Sequence, residues 1–167
     1  MFTNIMVKLE DLIRSTKVSR INELELERYI NFYRESYIEN LKHMRAVVRE
    51  FPRWAIISGY FAMHDIAKLL IAKKLWLKID REVHKTTIEV LEHLLRHRKL
   101  ARMLENGYEK FTELADMLSE ARRERIRAQY YTGSKFLKEY WSKKALEFSE
   151  EVEHFVKLVR ELMGDEK

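Results

Sequence analysis

Apolar residues recur along this chain with a helical period. Ile30, Tyr33, Tyr37, Leu41, Met44, Val48 and Phe51 follow one another at steps of three and four. That spacing predicts a single apolar stripe on a long helix over residues 20–51. Ser19 is its expected N-cap, with Asn22 at the position where a capping box carries an acid. Pro52 cannot donate a backbone hydrogen bond, so a break or sharp bend is expected there. The next helix is predicted over residues 53–77. Ile56, Tyr60, Met63, Ala67, Leu70 and Lys74 share one stripe, and Ile57, Phe61, Ile66, Leu69 and Leu75 make the remaining surface apolar too. A helix apolar on most sides lies at the centre of a bundle or faces a second copy of the chain. Gly59, Ala62 and Ala67 would let neighbours approach it closely.

Further along, Asp80 is expected to cap a third helix that reaches His97 through Val83, Ile88, Leu91, Leu94 and Leu95. A short helix over 99–105 is expected to end near Gly107. Phe111, Leu114, Leu118 and Ala121 mark another, broken by Thr132 and Gly133. In the last helix Leu137, Trp141, Ala145, Phe148, Val152, Phe155, Val159 and Leu162 keep a near-heptad stripe. The pattern predicts an all-α fold, an up-and-down bundle of four to five main helices. It reads as one domain over 1–167 with its core at 20–163. One proline and four glycines are too few for the turns of an all-β chain.

Charge changes this picture little. The formal charge is +5, from 32 basic and 27 acidic side chains, which permits nucleic acid or an acidic protein as partner without requiring either. With no cysteine, disulfides and thiolate metal sites are excluded. Lys8, Glu10 and Asp11 interrupt the N-terminal apolar residues, unlike a signal peptide. His64, Asp65, Lys68, Lys73 and Lys74 lie inside the most apolar run, unlike a membrane span. The expectation is a soluble, cytoplasmic protein without a membrane role. The high charged content and single glutamine hint at a thermophilic source.

Candidate chemistry is sparse. His93 and His97 are four apart, as zinc ligands on a helix can be, but Arg96 stands between them and the zincin glutamate is missing. Glu151 and His154 have the spacing of half a di-iron motif, without a second half. No metal or cofactor is expected. There is no glycine-rich phosphate loop, and no serine has a nucleophile elbow or a nearby base in sequence. What stands out is RRERIRAQYYTG at 122–133, with four arginines in six positions. Glu120 with Arg123 and Glu124 with Arg127 form i,i+3 pairs suited to a solvated helix end. Alternatively Arg122, Arg123, Arg125 and Arg127 grip phosphate with their planar forks while Tyr130 and Tyr131 stack on bases. Arg96, Arg98, Lys99 and Arg102 form another basic patch.

Taken together, two stretches resemble the HEPN family. Tyr60, Ala62, Ala67 and the pair Leu69–Leu70 match its Tyr/Ala-rich helix, and His84–Lys85 match the His-Lys that opens its next helix. Arg125, Ala128 and Tyr130 match an Arg-x-x-Ala-Asp-Tyr element in which Gln129 replaces the aspartate. The resemblance spans residues 28–160. It implies a bundle of four or five helices, usually a homodimer, often paired with a minimal nucleotidyltransferase in toxin–antitoxin systems. Active members are metal-independent ribonucleases that use Arg and, four to six residues on, His. Here Tyr130 stands where the histidine belongs, counted from Arg125 or Arg123. A phenol with a pKa near ~10 is a poor base at neutral pH. The resemblance therefore implies an RNA- or partner-binding dimer with little or no activity. The alternative is a ribonuclease in which Arg125 and Tyr130 are catalytic.

Overall fold

The computed structural model describes residues 2–124 and 133–164, with side chains described at 4–117 and 139–164. The order is α1 (Phe2–Arg14), β1 (Val18–Arg20), α2 (Glu23–Val47), α3 (Pro52–Leu75), β2 (Leu77–Ile79), α4 (Val83–Glu89), a π-helical turn (Val90–Leu94), α5 (Arg98–Glu124) and α6 (Gly133–Met163). The fold is an all-α helical bundle carrying one small strand pair.

Local chemistry places the element ends, and it moves several of them from where the pattern put them. Helix α2 is capped by Asn22, not Ser19. The Asn22 side chain accepts from the Glu25 amide at 2.9 Å, and its Nδ2 donates back to the Glu25 carboxylate at 3.1 Å. This is a reciprocal cap with asparagine in the serine's role. Ser19 instead sits in β1, whose antiparallel register pairs Val18 with Ile79, Ser19 with Lys78 and Arg20 with Leu77. Pro52 does break the chain and takes the first turn of α3, where its missing N–H costs nothing. Trp76 ends α3 in the left-handed region at φ 56° and donates its amide to the Ala72 carbonyl. Asp80 does not cap α4. Its amide bonds the Lys17 carbonyl at 2.9 Å, prolonging the strand clasp, and Glu82 precedes the helix with φ 47°.

Helix α3 is the axle of the bundle. Sixteen of its 24 residues are buried, and it packs against α2, α6 and α5. Among the described residues it is the one helix long and apolar enough to cross a membrane, but 83% of its most apolar window is buried inside the fold. Its apolar surface is therefore used within the chain. Contacts between helices fix their directions. Arg45 and Tyr37 of α2 meet Glu153 and Arg160 of α6. Tyr60 and Phe61 of α3 meet Tyr108 and Phe111 of α5, and Lys99 and Glu113 of α5 meet His154 and Lys144 of α6. Helices α2 and α5 thus run one way and α3 and α6 the other. The α6 stripe is buried as its period predicts, from Trp141 through Ala145, Phe148, Val152 and Phe155 to Val159.

The expected break at Gly107 does not occur, and α5 runs through it unbroken. A Cβ there would lie 3.2 Å from Met63 Sδ and 3.4 Å from the Phe148 ring. The glycine makes room for α3 and α6; it does not end a helix. Gly59 is tighter still, with a Cβ only 2.9 Å from Met44 Sδ, 3.0 Å from Val152 Cγ2 and 3.2 Å from Phe148 Cε1. Alanine at either site gains about 1 kcal/mol of helix propensity. At Gly59 overpacking costing about 1–3 kcal/mol outweighs that gain. Urea unfolding is expected to show Gly59→Ala as clearly destabilised and Gly107→Ala as within about 1 kcal/mol of the parent.

Candidate functional site

The structure brings together one group of residues singled out by the sequence. Tyr60 on α3 and His84, in the first turn of α4, meet at 2.9 Å between the phenol oxygen and Nδ1. The His84 ring stacks on Tyr108 of α5 with centroids 3.5 Å apart. Phe111 also stacks on Tyr60, with centroids 4.8 Å apart. One turn deeper, His64 is 5% exposed and lies 3.4 Å from the Thr87 hydroxyl. That hydroxyl donates its hydrogen to the Val83 carbonyl, so the His64 imidazole is the donor to Thr87.

Burial governs the electrostatics here. His64 falls from an ordinary 6.5 to about 3, chiefly through desolvation, with Lys68 and His84 adding repulsion. His84 falls to about 4 by desolvation. Burial raises the Tyr60 phenol above its ordinary value. Both imidazoles are therefore neutral at pH 7. The Tyr60 hydroxyl, protonated, is hydrogen-bonded with Nδ1 of His84, which ties that nitrogen to α3. Beside this cluster, Asp65 accepts from Ser36 at 2.6 Å and Asn40 at 3.3 Å. Lys68 lies 4.0 Å from Asp65 and 3.5 Å from the Tyr33 hydroxyl. Burial pushes the Asp65 carboxyl up and the Lys68 ammonium down.

The arginine run is placed only in part. Arg125, Arg127, Tyr130 and Tyr131 lie outside the described residues, and Arg122 and Arg123 are placed by backbone alone in the last turns of α5. Fourteen residues of unbroken helix separate Tyr108 from Arg122, about 21 Å of rise. His84, stacked on Tyr108, is thus far from the backbone of Arg122. The second basic patch lies at the opposite end of the same helix, where α5 begins at Arg98.

The remaining candidates are occupied otherwise. His154 faces Lys99 at 3.3 Å and Glu151 pairs with Lys110 at 3.1 Å. Among the described residues no group of three or more possible ligands gathers as a metal site. One pairing was not legible in the sequence: Ser58 lies 2.5 Å from His43 Nδ1. The Ser58 hydroxyl donates to the Trp54 carbonyl at 2.8 Å, so it accepts from His43 and is not an activated nucleophile. No protein-family model, curated protein or solved structure matches this chain.

The buried histidines predict an acid-sensitive fold. Their folded pKa values lie below the unfolded value of 6.5, so the unfolded chain binds more protons between the two, and stability falls as pH drops through that window. The lowered carboxyls of Glu82 and Glu113 titrate below 4.5. In denaturant unfolding from pH 7 to 4.5 the raised Asp65 carboxyl acts in the opposite direction, so the comparison with His64→Leu, and not the slope alone, reads the histidine contribution. Stability is expected to decline steadily across that range, and His64→Leu to flatten the decline.

Proposed function

We propose that this chain is a HEPN-like protein that binds RNA through the basic C-terminal end of α5 and does not cleave it. One observation carries the choice of binding over cleavage: His84 is neutral, bonded to Tyr60, and about 21 Å of helix from Arg122. Metal-independent cleavage needs a cation at the phosphate and a base at the 2′-hydroxyl of the same linkage. Within one chain this imidazole and the Arg122 backbone, about 21 Å of helix away, do not meet at one phosphodiester. Arginine forks contact phosphate without needing a base, and the net charge of +5 favours a polyanion.

The protein acts as a homodimer in this reading, in a toxin–antitoxin or nucleotidyltransferase-linked setting. With most of α3 buried, the large apolar residues left exposed at its start and along its outer stripe are Phe51, Trp54 and Phe61, at 55, 59 and 40%. They are the surface through which two copies would meet. Light scattering at micromolar concentration is expected to give twice the chain mass, falling to one chain in Trp54→Glu/Phe61→Glu. A monomeric parent would remove the dimer from this reading.

Fluorescence anisotropy with labelled single-stranded RNA is expected to show binding that weakens steeply with salt and survives chelation. Replacing Arg122, Arg123 and Arg125 by alanine should weaken it at least tenfold, and the RNA should remain intact. Metal-independent cleavage abolished by Arg125→Ala would establish the ribonuclease alternative instead.

A further inference from the structure

The second basic patch is a cleft. Where α1 crosses the junction between the π-helical turn and α5, a hollow of about 640 Å³ opens, within the size range of small-molecule sites. Asn4 and Lys8 of α1 line one wall, and Glu92, His93, Arg96 and Arg98 line the other. Three cations and a histidine thus face a single lining carboxylate. That carboxylate is loosely engaged: Glu92 lies 3.8 Å from Arg98 Nε and 3.9 Å from His93 Nε2, both beyond hydrogen-bond reach. Lys8 is shared with Glu89 at 3.3 Å. Among the described residues, no acid lies within ion-pair distance of Arg96.

The backbone at Arg96 adds an independent observation. Arg96 has φ 61°, the left-handed region that glycine occupies freely and other residues occupy at a cost. It follows directly on the π-helical turn at Val90–Leu94, an irregularity frequent at functional sites. The His97 amide, bonded to the Leu91 carbonyl at 2.8 Å, locks this geometry. Thr16, Trp76 and Glu82 share this conformation at other turns of the chain, and glycine would relax it at each. This one holds an arginine in a strained position, with its guanidinium unpaired, on the rim of a cationic cleft.

We propose that this cleft binds a phosphate group, with Arg96 as its principal ligand, Arg98 and Lys8 as flanking cations, and Glu92 as a weak internal competitor. Guanidinium forks suit a tetrahedral oxyanion. The site is spatially separate from the arginines at the far end of α5. Arg98 and Arg122 are 24 residues apart, about 36 Å along the helix, so one phosphate cannot touch both.

Isothermal titration with inorganic phosphate, adenosine 5′-monophosphate, adenosine and a short single-stranded RNA tests the proposal. Phosphate and the monophosphate are expected to bind, and adenosine is not. Arg96→Gly should weaken binding at least tenfold with an unchanged or raised Tm, because glycine relieves the backbone strain as it removes the charge. Glu92→Gln should tighten binding several-fold. If RNA binding also loses tenfold in Arg96→Gly, the phosphate comes from a polynucleotide; if only the small ligands respond, it comes from a small phosphoester. Arg122→Ala should leave the phosphate and monophosphate titrations unchanged, which separates this site from the arginine run. Absence of phosphate and monophosphate binding, or full binding by Arg96→Gly, would overturn the proposal.

Discussion

Everything in this bundle depends on how closely α2 and α6 can approach α3. At Gly59, side chains from both helices occupy the space a Cβ would need: Met44 from one, Val152 and Phe148 from the other. Phe148 also lies against Gly107, so one aromatic ring sets the spacing of α3, α5 and α6 together. A bundle with its middle helix buried on most sides has no spare surface on which to shift register. Its tolerance for change is therefore lowest along α3.

Such a buried centre forces its polar groups to find partners inside. Asp65 is satisfied by Ser36 and Asn40 on α2, with the Lys68 ammonium nearby over the Tyr33 ring at 4.8 Å. His64 and His84 are satisfied by Thr87 and Tyr60. These two networks lie on neighbouring flanks of one helix and resolve the same problem differently. One surrounds a carboxyl with donors and a nearby ammonium; the other holds two imidazoles neutral. In the second the imidazoles are structural, so the motif residues Tyr60 and His84 knit α3 to α4.

The long helices were legible because burial on one side leaves a period of three and four. The α6 stripe follows from that alone, whereas α3 stood out by being apolar on most sides, which fits either a central helix or one facing a second copy. Gly107 was misread as a terminator because glycine signals either a turn or a close approach, and only the facing Met63 and Phe148 decide which. Asn22 displaced Ser19 as a cap because β1 recruits Ser19 through a partner 59 positions away at Lys78, beyond any local window. Helix α1 carries the same period at Ile5, Leu9, Leu12 and Ile13, and its Lys8 helps to line the cleft. The arginines at Arg96 and Arg98 were visible as charge, but a wall is not legible until the opposite wall is placed.

The placement of α6 also bears on how the chain is made. Helices α2 and α3 are joined by a short corner and can pair as soon as both exist. The side of α3 at Gly59 that receives Val152 and Phe148 stays bare until the final helix arrives. Between Leu75 and Met163 lies a stretch that translation at about 5–20 residues per second takes on the order of ten seconds to deliver. For that interval the most apolar helix of the protein is half covered in a crowded cell. The nascent chain, more than the finished fold, is where this architecture is exposed to misassembly, and loss of α6 from Phe148 onward would make that transient state permanent.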